Sequence, residues 1–122
     1  MIDSDIRLTK EAELAEARRF ARCHAFNLDP CAARELRHQL RLAPVAAVEW
    51  DLEDDGLHRE WFGNVFVNPP FSDIMPWIEK AQEQRYRHLV DTITFLVPAN
   101  RCEQPWFQRV QELGWRMNFL PK

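Results

Sequence analysis

The sequence predicts an α/β domain whose compact, mostly parallel sheet is covered by helices on both faces. Short apolar or β-branched runs alternate with segments of helical period, and proline or glycine punctuates most of the junctions. Strand-then-helix alternation sets successive strands parallel, because each helix carries the chain back over the sheet. The 122 residues fit one domain, 1–122, large enough to bury a core. A hydrophobic fraction of 46% and a charged fraction of 29% exclude a disordered or fibrous chain.

The elements follow in order. Thr9 reads as an N-cap, Glu11 and Glu13 suit a first helical turn, and Leu14, Ala17 and Ala21 recur at helical spacing, so a helix is expected near 9–23. Phe26–Asp29 is a short strand stopped by Pro30. Ala33, Leu36 and Leu40 give a second helix closed by Pro44, and Val45–Trp50 reads as a buried strand. Asp51–Leu57 carries four acids and an Asp-Gly pair, which makes it a loop. Asn64–Val67 is the next strand. Ile74, Trp77, Ile78 and Ala81 then stripe a helix with Pro76 in its first turn, expected to run to about Arg87. Thr92–Val97 is a strand ended by Pro98. Trp106, Val110 and Leu113 mark a helix that Gly114 can terminate in a left-handed conformation, and Trp115–Leu120 is expected as a last strand.

The longest apolar stretches, Val45–Val48 and Phe95–Val97, fall far short of the roughly 18–20 residues of a membrane helix. The acidic start, Met1 to Asp5, is not followed by an apolar segment, so no secretory signal is read and a cytoplasmic protein is expected. Three cysteines, Cys23, Cys31 and Cys102, fit no zinc spacing and suggest free thiols in a reducing compartment. The four histidines are scattered, and no metal is assigned. A net charge of −3 means that any contact with nucleic acid needs a local basic face. Arg34, Arg37 and Arg41 on one helix, or Lys80, Arg85 and Arg87 on another, could supply it or could be ordinary solvated faces.

In an open α/β sheet, ligands bind beyond the carboxyl ends of the strands. Two such ends stand out: Asp29-Pro30-Cys31-Ala32 after 26–29, and Asn68-Pro69-Pro70-Phe71 after 64–67. In the second, two prolines fix φ and remove two donors, leaving the Asn68 side-chain oxygen and the Pro69 carbonyl as acceptors in a rigid turn. Such a turn suits an amino group, and Phe71 beside it offers a ring on which a base can stack. The bland alternative is a Pro-Pro turn that ends a strand, with Phe71 in the core.

From Phe26 to Lys122 the chain resembles the phage-type DNA N-6-adenine methyltransferases. The residues that carry the resemblance are Phe26–Ala33, Asp54-Asp55-Gly56-Leu57 with Trp61, and Val65–Phe71 with Trp77–Ala81. Leu96-Val97-Pro98-Ala99, with Arg101, Trp106 and Phe107, continues it in order. The resemblance implies a Rossmann-like methyltransferase fold, S-adenosylmethionine as cofactor, and DNA as partner with its target adenine flipped out of the duplex. It implies that Asp29, Pro30, Cys31 and Ala32 face the methionine portion of the cofactor, with Cys31 a small side chain beneath it rather than a nucleophile. Glu49 or Asp51 would suit the ribose hydroxyls, and Asp54 or Asp55 the cofactor's adenine amine; a solvated acidic loop is the alternative for all four. Asn68 and Pro69 would orient the target amine within the motif completed by Pro70 and Phe71. Phage or prophage origin and a bacterial host are implied with the family.

Two departures matter. Family members usually begin with a Trp and a Thr-Pro pair that frame the cofactor, whereas this chain reads Leu8-Thr9-Lys10-Glu11. They also continue past the point matching Leu120-Pro121-Lys122 into further strands, so the sheet is expected to lack its last strands and to leave an edge for a second copy or a partner protein. These departures sustain an alternative: a catalytically inactive, shortened methyltransferase fold serving as an acidic phage interaction or anti-defence protein through Asp51–Asp55.

Overall fold

The computed structural model describes residues 9–98 and 104–120. Four strands, β1 (Phe26–Asp29), β2 (Ala46–Glu49), β3 (Gly63–Val67) and β4 (Val90–Phe95), form an all-parallel sheet in the order β2-β1-β3-β4. Helices α1 (Glu11–Ala21), α2 (Arg34–Gln39), α3 (Met75–Gln84) and α4 (Pro105–Leu113) alternate with them. Two single 3-10 turns, Leu52–Asp54 and Gly56–His58, occupy the predicted acidic loop. The α/β class is therefore as expected. Ala99, Arg101, Cys102, Pro121 and Lys122 lie outside the described residues.

Alternation along β3 explains the layering. Val65 and Val67 pack with Leu28, Trp61, Trp77 and Ala81 on the α3 side. Phe66 packs with Phe26, Ala46, Leu14 and Ala17 on the α1 side. The central pair β1 and β3 is thus covered on both faces, and Leu28, Val65, Phe66 and Val67 are fully buried. Against α3 lies α4, joined through Ile74, Ile78, Trp106 and Val110. Its end is capped by Gly114 at φ 72°, as the sequence predicts. Among the described residues no helix is long and apolar enough to cross a membrane.

The structure corrects four expectations. Trp115–Leu120 forms no strand. It is held by side chains instead: the Trp115 ring lies 5.6 Å from Phe95, its indole donates to Gln82 at 3.2 Å, and Arg116 covers the Phe20 ring at 4.1 Å. Second, the strand at 45–50 is not buried through its length. As an outer strand it has one neighbour, and only Ala46 is buried while Val48 is 37% exposed. Third, α2 buries none of its residues, and Leu40 is 49% exposed, so ion pairs rather than an apolar stripe fix it. Fourth, Thr9 does not cap α1: Lys10 is the N-cap, and its backbone N–H donates to Glu13 at 3.0 Å.

Candidate functional site

The strand order places β2 on one side of β1 and β3 with β4 on the other. The winding direction therefore reverses between β1 and β3, where an open α/β sheet forms its ligand crevice. The turns beginning at Asp29 and Asn68 leave these two neighbouring strands at their carboxyl ends.

After β1 the chain turns while remaining bonded to the β2 side. Trp50 N–H donates to the Asp29 carbonyl at 2.9 Å, and Ala32 N–H donates to the Trp50 carbonyl at 2.8 Å. The Asp29 carboxylate accepts the Cys31 N–H at 3.2 Å, and Pro30 is fully buried. Asp29 is itself 6% exposed, and burial pushes its carboxyl up to about 7. The Cys31 N–H partly offsets that shift and nearby Glu49 adds to it. Burial, with the Asp29 charge beside it, pushes the Cys31 thiol up to about 12. Cys31 packs against the Trp61 cluster and stays a protonated thiol at neutral pH, which removes it as a nucleophile.

Glu49, Asp51 and Asp54 are gathered by two arginines from α2. Arg37 grips both Glu49 oxygens, with Nε at 2.8 Å from Oε2. Arg34 donates to Asp51 at 2.7 Å and lies 3.4 Å from Asp54, whose Oδ2 also accepts the Asp51 N–H at 3.0 Å. The Arg34 hydrogen bond holds the Asp51 carboxyl below its ordinary range. The second Asp51 oxygen, Oδ1, is shielded from solvent and meets no hydrogen-bond partner among the described residues. Asp55 stands apart: at φ 58° it turns outward and meets His58 at 2.9 Å. Arg34 and Arg37 are thus paired with carboxylates, while α2 buries none of its residues. Lys80 on α3 and Arg87, which lies beyond the helix end at Gln84 rather than within it as expected, both approach Glu83, at 4.0 and 3.8 Å.

Gly56 is the piece that joins this loop to the Asp29 turn. A Cβ there would collide with the Pro30 carbonyl oxygen and lie 3.1 Å from its carbon. The Gly56 carbonyl accepts the Trp61 indole N–H at 2.9 Å, and Trp61, fully buried, stacks on Trp77 at 6.4 Å. Buried Gln84 accepts the Trp61 backbone N–H at 2.8 Å. Gly56→Ala should therefore cost about 1–3 kcal/mol, as overpacking of a closed contact does, read as a lower midpoint in urea unfolding followed by tryptophan fluorescence. A midpoint equal to that of the wild type would show that the loop can withdraw from Pro30 freely.

After β3, Pro69 is fully buried, and Pro70 accepts the Asp73 N–H at 3.1 Å to close a turn. Asn68 is half-buried, its amide nitrogen donates to the Thr9 hydroxyl at 3.2 Å, and its carboxamide oxygen is shielded from solvent. A base amine can reach that oxygen only when the cover shifts. Phe71 is also half-buried, against the Ile74 and Trp106 cluster, so it serves the core with part of its surface and keeps the rest accessible.

Sequence reading gave Thr9 and Gly56 no part in the site, and read Arg34 and Arg37 only as a basic face for nucleic acid or a solvated helix face. The collision at Gly56 and the 59-residue separation of Thr9 from Asn68 leave no local pattern to read. For the arginines a signal existed, since a basic helix precedes an acidic loop across one strand. Among the described residues no group of three or more histidine, cysteine or acidic side chains comes together as a metal site. A family model described as DNA N-6-adenine-methyltransferase (Dam) matches residues 16–120, which includes both turns. Comparison with curated proteins and with solved structures gave no match.

Proposed function

The chain belongs to the DNA N-6-adenine-methyltransferase family, and from that premise we propose that it transfers a methyl group from S-adenosylmethionine to the exocyclic N6 amine of adenine in DNA. The observation that carries this reading is the pairing of the Asp29 and Asn68 turns at the reversal of strand order. A DNA substrate sets the activity in the cytoplasm of a host cell, and the phage-type resemblance points to a bacterium.

The residues present fit the cofactor by their chemistry. Its ammonium and hydroxyl groups are donors, and the strand ends offer acceptors in the carboxylates of Asp29 and Asp51. Glu49, held at both oxygens by Arg37, is the poorer ribose ligand, and Arg37 becomes the residue that fixes the wall behind it. Asp54 or Asp55 would meet the adenine amine. The bound cofactor supplies a methyl group on a sulfonium. This chain's own residues supply orientation.

An aromatic amine is a weak nucleophile because its lone pair is delocalised into the ring. Asn68 Oδ1 and the Pro69 carbonyl would accept its two N–H bonds, favour the tetrahedral nitrogen, and draw off positive charge as the N–C bond forms. Phe71 would stack on the flipped base with its accessible surface. A second copy or a partner protein on the outer edge of β4 belongs to the same reading, since that edge has no strand partner among the described residues.

The alternative, an inactive acidic interaction module, draws less support from the geometry. Its acidic run is not a free patch, because Asp51 and Asp54 are bound to Arg34. Titration calorimetry decides between the readings. S-adenosylmethionine should bind the wild type, and Asp29→Ala should weaken it at least tenfold, about 1.4 kcal/mol. Folded protein with no detectable binding at about millimolar cofactor would remove the enzyme reading.

A further inference from the structure

We infer that Thr9 is a positioning residue for methyl transfer, acting through Asn68; the inference rests on the proposed role of Asn68. Thr9 precedes the segment matched by the family model. Its hydroxyl is not used to cap α1, where Lys10 and Glu13 do that work. Instead it lies 3.2 Å from the Asn68 amide nitrogen, which donates to it across 59 residues of sequence. Thr9 and Asn68 are both half-buried, and α1, which follows Thr9, is packed to the sheet through Leu14 and Ala17 against Phe26 and Phe66.

A carboxamide has two faces of opposite sense, an acceptor oxygen and a donor nitrogen. A target amine must donate, so the nitrogen end turned toward it would set donor against donor. Pro69 fixes the backbone beside Asn68, but nothing in a proline ring selects between the two settings of a neighbouring amide. The contact with Thr9 holds the setting seen here, in which the nitrogen donates to the hydroxyl and the carboxamide oxygen lies on the other side.

The test uses the whole chain, labelled S-adenosylmethionine and unmethylated bacterial DNA, with Thr9→Val, Thr9→Ser and Asn68→Ala. Thr9→Val keeps the shape and removes the acceptor, and should lower kcat about tenfold, the most that one hydrogen bond of ordinary strength supplies. Its cofactor affinity should stay at the wild-type value. Thr9→Ser retains the hydroxyl and should keep most of the activity, a rescue that a purely structural role would not give. The Asn68 side-chain amide resonances should move in Thr9→Val and hold their place in Thr9→Ser. Thr9→Ala replaces Thr9→Val if the latter fails to fold. Asn68→Ala inactive with Thr9→Val fully active overturns this inference alone. Asn68→Ala fully active, or a wild type that transfers no methyl group, overturns the role of Asn68 and this inference with it.

Discussion

Asn68→Ala should reduce methyl transfer to DNA by a hundredfold or more while leaving cofactor affinity within about twofold of the wild type. The size follows from what is lost: one preorganised polar contact that strengthens as charge develops is worth about 10²–10³ in kcat. The separation follows from position, because Asn68 stands at the end of β3 whereas the acids assigned to the cofactor stand at the ends of β1 and β2. The loss should appear in kcat with little change in binding, as for an interaction made chiefly in the transition state. Incorporation of labelled methyl groups gives the rate, and calorimetry gives the affinity. A parallel fall in both would make Asn68 a structural residue that shapes the crevice for the cofactor too.

The parts of this architecture that depend on neighbours in sequence were legible before the structure. Strand ends are marked by Pro30 and Pro69, the start of α3 by Pro76, and the end of α4 by Gly114, because each residue imposes its backbone conformation locally. Two of the failures depended on the sheet's edges. Val45–Trp50 has the composition of a central strand, yet strand order makes it an outer one, and order is a long-range property. Trp115–Leu120 has the residues of a strand and no ladder partner among the described residues, and its aromatic and cationic side chains tie it to Phe95 and Phe20 instead. The candidate site divides the same way. Asp29 and Asn68 were readable as strand-end residues, whereas Arg34 and Arg37 look like surface charges until the loop after β2 comes back over α2.

Asp29→Asn should stabilise the folded protein near pH 8 and leave its stability almost unchanged near pH 4. Burial is the first cause of the carboxyl being pushed up to about 7, well above the 3.8 of an ordinary aspartate. The sign follows from where the proton sits. Below pH 4 both folded and unfolded chains hold a neutral acid, and the residue has no pH-dependent cost. Between about pH 4 and 7 the unfolded chain releases a proton that the folded chain retains, so wild-type stability falls as pH rises, and above 7 the fall stops. A difference of about three pKa units sets an upper bound of about 4 kcal/mol for this loss. Asparagine does not titrate, and its side-chain oxygen can still accept the Cys31 N–H, so the turn should persist. Urea unfolding at pH 4.5 and 8 measures the difference, and a variant less stable than wild type at pH 8 would show that the carboxylate is already compensated in the free protein. A cationic ligand should narrow the gap: saturating S-adenosylmethionine supplies the positive charge that ionised Asp29 lacks, so it should raise the pH 8 midpoint of the wild type more than that of Asp29→Asn. A residue that destabilises the free protein and is relieved by ligand belongs to a binding site rather than to the core, which is the distinction this pair of titrations draws.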